Sequence, residues 1–469
     1  NIKKILGLKS GITYEKTNKW PLRYGRIMIM TDQDVDGSHI KGLLMNMFHT
    51  YWPSLLKIGF ITSLVTPILK ALPKNKKSKS ILFYSMGDYI KWKSNHKNNK
   101  YRIKYYKGLG TSDRAEAREY FSTQKKEVLY NWSEKCNDNI ELAFNKTRAN
   151  DRKKWLANYD QTIILDANKK KVDITEFINS ELIHFSYYDV HRSIPNVIDG
   201  LKPSQRKILY CCLKRKLTNE IKVSQLSGYV SEHAAYHHGE MSLQGAIVGM
   251  AQNFVGSNNL PLLVPKGQFG SRLQGGSDSA SSRYIFTKLD PLTKLLIPES
   301  DLPLLEYLED DGLKIEPKYY IPIIPLILCN GAKGIGTGWS TDVPTYNPID
   351  VTNQVLNWIK NKPIKNIKPW FKGFKGVIEK VDESSYISRG ICQIENKSNI
   401  RVLELPICKW TLNYKQYLEK VIDKGKLGLI DIEDTSNDKN VNILLKFQNE
   451  DYVNKLQPNN PSVFHEKIK

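Results

Sequence analysis

Three carboxylates stand at alternate positions in Asp32-Gln33-Asp34-Val35-Asp36-Gly37, directly after the short apolar segment Arg26-Ile-Met-Ile-Met30. In an extended loop such side chains face one way, and carboxylates packed this closely repel one another unless a cation is near. The donor set is that of a Mg²⁺ site, which accepts carboxylate oxygens together with waters and substrate phosphates. An EF-hand calcium loop opens with the same D-x-D-x-D-G pattern, but its twelfth position here is Leu43 and a strand precedes it. A solvated acidic turn capping a helix is the simpler alternative. Far along the chain, Arg283 and Tyr284 are neighbours in Ser281-Ser-Arg-Tyr-Ile-Phe-Thr287, after the glycine-rich stretch Gly267–Gly276. A phenol with a pKa of about 10 is a weak nucleophile at neutral pH. A guanidinium beside it stabilises both the phenolate and the charge that builds on a phosphate under attack. On its own the dipeptide fits an ordinary strand equally well.

Two further motifs are less specific. His233-Ala-Ala-Tyr236-His237-His238 spaces imidazoles by one helical turn but lacks the glutamate of H-E-x-x-H, so phosphate contact or a structural role outranks zinc. Gly331-Ala-Lys-Gly-Ile335-Gly-Thr-Gly338 matches neither G-x-G-x-x-G nor G-x-x-x-x-G-K-[ST]. So many glycines point instead to a close approach of backbone to a partner.

The elements that must position these residues alternate at first between strands and helices. Arg26–Met30 reads as a buried parallel strand, which places the acidic loop at a strand's carboxyl end, where open α/β sheets bind ligands. Ser38 is a candidate cap for a helix whose apolar residues are Ile40, Leu43, Leu44, Met47, Phe48 and Tyr51, stopped by Pro53. Strands are expected at 60–64, 81–85 and 101–106. The polar stretch 126–172, with a helix around 139–159, reads as a connector. Beyond it, helices over 203–213, 222–235 and 240–254 around a tight turn, followed by strand-like segments, suggest a helix-turn-helix or winged helix. A region rich in β-branched residues, Pro, Asn and Lys follows Gly338.

With 70 Lys and Arg against 48 Asp and Glu, the chain carries a net charge of +22. That excess favours a polyanionic partner, with nucleic acid foremost. The run Lys360–Lys375 interleaves lysines with Trp370, Phe371 and Phe374, which suits a phosphate-lined surface or an edge strand with snorkelling lysines. The most apolar stretch, Tyr320–Cys329, is broken by Pro322 and Pro325 and falls far short of the roughly 20 residues of a membrane span. Six cysteines without a C-x-x-C pair argue against zinc ribbons and a disulfide scaffold and favour a reducing compartment. The chain opens on Asn1, not Met, and is expected to be a piece of a longer polypeptide.

Taken together, Thr31-Asp-Gln-Asp-Val-Asp-Gly-Ser-His-Ile-Lys-Gly42, Tyr105-Tyr-Lys-Gly-Leu-Gly-Thr111, Ile194-Pro195, Asp199-Gly-Leu-Lys-Pro203, Tyr236-His-His-Gly239, Arg283-Tyr284 and Gly334-Ile-Gly-Thr-Gly-Trp339 resemble the breakage–reunion core of eukaryotic-type type IIA DNA topoisomerases, in that family's order. The resemblance implies a multidomain α/β and α+β chain. Residues 1–125 would be the C-terminal part of a TOPRIM domain with a Rossmann-like parallel sheet, 126–172 a connector, 173–338 a winged-helix cleavage domain and 339–469 an incomplete α/β tower. It implies Mg²⁺, replaceable by Mn²⁺ or Ca²⁺, held by Asp32 and Asp34 with Asp36 close by. Tyr284 would attack a DNA phosphate to form a 5′-phosphotyrosyl link, with Arg283 stabilising the transition state. Lys146, Lys202, Arg206, Tyr236, His237, His238, Ser242 and Trp410 match duplex-lining positions, and Ile335 matches a residue that wedges between base pairs.

The same resemblance implies double-stranded DNA as substrate, a homodimer, no membrane, and ATP acting through a domain not found here. The ATPase domain, the E-G-D-S-A segment with its TOPRIM glutamate and the coiled-coil gate have no counterpart in the sequence, so an N-terminal ATPase/TOPRIM segment of the parent protein is an expected partner. The expected location is the nucleus for a cellular eukaryotic protein, or host cytoplasm or a viral factory for a viral one. The rival readings are a non-cleaving DNA-bending scaffold and a TOPRIM nuclease.

Overall fold

A computed structural model describes the chain except for residues 17–21, 76–79, 85, 96–99, 107–109, 111, 124–126, 167–168, 311, 384 and 457–469. Much of the Tyr105–Thr111 motif therefore lies outside the described residues. The chain forms two compact units, one of residues 1–191 and 335–339, the other of 192–334 and 340–469.

In the first unit a four-stranded mixed sheet is built from Ile27–Ile29, Ile61–Leu64, Glu127–Asn131 and Lys171–Asp173, in that order. Ile27 pairs with Ile61 in parallel, Thr62 with Leu129 antiparallel, and Leu129 with Lys171 in parallel. Two of these strands come from the stretch read as a connector. Its single expected helix is two, Cys136–Phe144 and Ala149–Ala157, joined by a 3-10 turn at Lys146–Arg148. Helix Val35–Tyr51 packs on this sheet, yet its buried stripe is Ser38, Lys41, Met45 and Phe48, whereas Ile40, Leu43 and Tyr51 are exposed. The stripe is rotated from the purely apolar one because Glu181 neutralises Lys41. A strand that sequence periodicity missed, Leu69–Pro73, is the centre of an antiparallel three-stranded sheet with Ile81–Phe83 and Tyr101–Tyr105.

Against that small sheet, the buried carboxylate of Glu116 accepts from Lys104 Nζ (2.8 Å), Tyr106 Oη (2.5 Å), the Asp113 amide (3.0 Å) and Lys70 Nζ (3.2 Å). Burial opposes ionisation, but those donors together outweigh it and hold the carboxyl at about 2.

In the second unit, helices Pro203–Lys214, Val223–His233 and Glu240–Ala251 surround one apolar core with the antiparallel strands Ile221–Lys222, Phe286–Leu289 and Leu263–Lys266. This is the arrangement of a winged helix. Asp199 and Arg206 are both buried here. The guanidinium donates from Nε to Asp199 Oδ2 (2.7 Å) and from Nη2 to Asp199 Oδ1 (3.0 Å) and the Leu201 carbonyl (2.9 Å). Asp199 also accepts from the amides of Leu201 and Tyr320. Farther on, a four-stranded antiparallel sheet in the order Ile391–Asn396, Asn399–Glu404, Ile443–Phe447, Leu429–Asp434 backs helix Thr411–Asp423 over its own core. A buried pair, Arg272 with Glu404, fastens the glycine-rich stretch to this sheet. Glu404 also accepts from the amides of Lys375 and Leu405.

Two outcomes follow. Because the carboxyl of Glu116 is depressed from its ordinary 4.5, its contribution is fully present above that pH and fades as pH falls toward 2. Urea unfolding should show Glu116→Gln costing about 2 kcal/mol at neutral pH and little at pH 2. Arg206→Ala strands a buried carboxylate and should lower stability by about 3–5 kcal/mol in the same measurement.

Candidate active site and nucleic-acid interface

The acidic loop leaves strand Ile27–Ile29 and enters helix Val35–Tyr51 with Asp34, not Ser38, as its cap: Asp34 Oδ1 accepts from the Gly37 amide at 2.7 Å. Only glycine fits at 37, since a Cβ there would lie 2.0 Å from the Asp32 carbonyl oxygen. The loop is thus pressed onto the helix start. Ser38 Oγ bridges the Asp34 carbonyl (3.2 Å) and Glu181 Oε1 (2.7 Å), and Lys41 Nζ closes on the same Glu181 oxygen. Glu181 lies in a π-helical turn, Ile178–Leu182.

Among the described residues no group of three His, Cys, Asp or Glu side chains is placed to hold a metal ion. The loop therefore does not form a closed three-carboxylate cage. Its hard oxygen donors at the carboxyl end of a strand fit Mg²⁺, which needs only one or two carboxylates alongside waters and phosphate.

Tyr284 ends a turn, Ser281–Tyr284, closed by the Tyr284 amide on the Ser281 carbonyl (2.9 Å). Its side chain is 70% exposed, while the next residue, Ile285, is buried in the core and opens strand Phe286–Leu289. The flanks are held. Ser282 Oγ donates to Gln244 Oε1 at 2.6 Å, the Ser224 amide to the Ser282 carbonyl at 3.2 Å, and the Val223 amide to the Ile285 carbonyl at 3.1 Å. The Arg283 guanidinium lies 5.6 Å from the Tyr284 ring centre. A hydroxyl presented to solvent on a braced turn, with a cation beside its ring, can act as a nucleophile toward an anionic ester.

Helix Glu240–Ala251 carries Gln244 and, two residues earlier, exposed Ser242; His237 and His238 stand just before its Gly239 cap. The tyrosine turn and these residues therefore share one support. His237 pairs with Asp310 at 3.0 Å, and Tyr236 meets His238 edge to face at 5.4 Å. Burial raises the Tyr236 phenol's pKa, while Arg192 pulls the other way. His233 gives Nδ1 to contact with the Tyr229 carbonyl (3.1 Å) and stacks on that ring, as a structural histidine does. Lys202 is half-buried at the start of helix Pro203–Lys214, where its amide donates to Gln205.

Two expected duplex contacts are otherwise engaged. Arg206 is not available to a phosphate, because its guanidinium is buried and spent on Asp199 and Leu201. It positions the loop that carries Lys202. Trp410 is half-buried, edge to face with Phe254, and its indole covers Gly275 so closely that a Cβ there would lie 2.3 Å away. It is a packing residue in this arrangement.

The first unit holds Asp32, Asp34, Asp36, Lys146 and Ile335. Lys146 is exposed on its 3-10 turn, and Ile335 is 75% exposed on the ribbon Ala332–Gly336/Trp339–Val343. The second unit holds Tyr284, Arg283, Lys202, Tyr236, His237, His238 and Ser242. Gln244 and Glu181 carried no signal in the sequence, since each matters only through a partner distant along the chain.

Comparison with known proteins accounts for nearly the whole chain. Residues 192–463 match the A-subunit family of DNA gyrase/topoisomerase IV, and residues 64–190 the C-terminal associated domain of TOPRIM. The "DNA topoisomerase 2, mitochondrial" of Dictyostelium discoideum is 51% identical over 451 residues, 95% of this chain and 35% of that protein. The DNA topoisomerase 2 of Arabidopsis thaliana is 49% identical over 97% of this chain and 31% of its own length. The crystal structure of the Plasmodium falciparum topoisomerase II DNA-binding, cleavage and re-ligation domain superposes with a TM-score of 0.76 at 46% identity, covering 99% of this chain and 64% of that one. This chain spans about a third of the length of these curated relatives. With the gyrase/topoisomerase IV family matched over more than half its residues and TOPRIM-associated sequence before it, the chain belongs to the type IIA DNA topoisomerases, of the eukaryotic topoisomerase II kind.

Proposed function

We propose that this chain is the breakage–reunion core of an ATP-dependent type II DNA topoisomerase, with Tyr284 as its nucleophile. The observation that carries the reading is the exposed phenol on a turn whose neighbours on both sides are fixed, next to Arg283. In the reaction the Tyr284 oxygen attacks a backbone phosphorus and gives up its proton. The P–O3′ bond breaks, and the departing oxygen takes a proton to become a 3′-hydroxyl. Attack by that hydroxyl reverses the step, and because the phosphotyrosyl ester conserves the bond's free energy, resealing needs no external source. Arg283 stabilises the phenolate and the charge gathering on the phosphate.

Membership of the family implies dependence on a divalent metal and on ATP. Asp32 and Asp34, with Asp36 beside them, would hold Mg²⁺, which supplies charge stabilisation at the leaving oxygen when bound. ATP would act through a domain of the parent protein. Lys146, Lys202, Tyr236, His237, His238 and Ser242 are proposed to line a bound duplex and Ile335 to wedge into it, unstacking a step at a cost of a few kcal/mol that wider contact offsets. Residues 1–125 are proposed as the TOPRIM portion, 126–172 as a connector that lends strands to its sheet, 173–338 as the winged-helix domain and 339–469 as the tower. A homodimer, in which the tyrosine of one subunit works with the acidic loop of the other, and a nuclear location complete the proposal. Among the described residues no helix is long and apolar enough to cross a membrane.

The test is incubation of the chain with Mg²⁺ and supercoiled plasmid, followed by detergent denaturation. Protein attached to 5′ ends is expected, and Tyr284→Phe should reduce it by at least about 10⁴-fold while duplex affinity changes less than threefold. Free cut ends would indicate a nuclease, and uncut DNA a binder or an incomplete fragment.

A further inference from the structure

The ribbon that carries Ile335 belongs by sequence to the second unit, but its tip, Ile335–Trp339, clusters with the first. What holds it there is specific. Asp189, on helix Ile183–Ser193, accepts at Oδ2 from both the Thr337 amide (3.0 Å) and the Thr337 hydroxyl (3.1 Å). On the other side Gly338, at a positive φ of 85°, lies against Ala149 and Arg152 of helix Ala149–Ala157. Arg152 is itself fixed, giving Nη1 to the carbonyls of Leu142 and Asn145. Ile335 therefore projects into solvent from a tip pinned two and three residues along the chain.

The helical run that supplies Asp189 also supplies Glu181, which braces Ser38 and Lys41 behind the acidic loop. Eight residues separate the two carboxylates, about 12 Å along a helix axis. One rod thus supports the wedge residue and the acidic loop together.

We infer that Asp189 is a positioning residue for DNA bending: through Thr337 it sets the stance of Ile335 and registers it to the unit that bears the acidic loop. A two-bond acceptor suits this task. A side chain that must unstack base pairs meets resistance, and a tip held only by its ribbon would yield before the bases did. The inference rests on the reading of Ile335 as the wedge.

The test uses the 469-residue chain and a short duplex carrying a donor and an acceptor dye at its ends, with Ca²⁺ as the metal, so that energy transfer reports the bend and titration reports affinity. Asp189→Ala should reduce the bend-dependent transfer change at least threefold with Kd altered less than threefold. Asp189→Asn, which keeps one acceptor oxygen, should retain about half of it, as should Thr337→Val. Adding Asp189→Ala to Ile335→Ala should cause no further loss, which a merely structural role would not reproduce. If Ile335→Ala straightens the duplex and the Asp189 and Thr337 variants bend it normally, this inference is wrong and the wedge reading stands. If Ile335→Ala itself bends DNA normally, the wedge reading fails and the inference falls with it.

Discussion

In the proposed reaction a phenol has to stand in water while the backbone that carries it stands still, and the turn at Tyr284 meets that requirement. Tyr284 lies where the chain passes from an exposed turn into a buried strand, so a single peptide separates a solvated hydroxyl from the core side chain of Ile285. The bond from Ser282 to Gln244 and the amide contacts from Val223 and Ser224 tie both sides of the turn to two helices. Positioning of this kind is what converts a weak nucleophile into an effective one, since an attacking oxygen misplaced by an ångström forfeits much of its advantage. In that proposal Arg283, 5.6 Å from the ring centre, adds charge where charge would develop.

The first unit solves a different problem, that of concentrating negative charge without cost to the fold. Asp34 is stabilised as a helix cap by the Gly37 amide, and Ser38 relays the loop to Glu181. Lys41, buried behind the loop, is neutralised by that same glutamate. The residues of the proposed chemistry are thereby divided between units, carboxylates and wedge in one, phenol and imidazoles in the other. Such a division suits the proposed reaction, in which cut ends must be held while parts move.

What could be read in the sequence was whatever is local. The strand before the acidic loop, the helix that Pro203 starts and the tyrosine after a glycine-rich stretch all follow from neighbours in the chain, and the structure has each of them, although the strand lies at the edge of its sheet with only Ile29 buried instead of being covered on both faces. Arg206 illustrates the limit. The family resemblance placed it along a bound duplex, and only the fold reveals Asp199 closing a buried pair upon it. Helix Val35–Tyr51 shows the same effect, since a buried lysine looks polar until its partner, 140 residues away, is known. The strands Glu127–Asn131 and Lys171–Asp173 were hidden in a polar stretch because both are short and flanked by charged residues, the second with Val172 as its one apolar residue, and each gains its place from pairing across the sheet. Nothing near Ile335 foretells that its ribbon tip joins the first unit.

The central claim is that one oxygen atom becomes esterified to DNA. The most direct measurement is to trap the complex formed with Mg²⁺ and an end-labelled duplex, digest both nucleic acid and protein, and sequence the modified peptide by mass spectrometry. The account predicts a nucleotide joined through its 5′-phosphate to Tyr284 and to no other side chain. A nucleotide found on a different residue, or a 3′-phosphate linkage at this one, would contradict it.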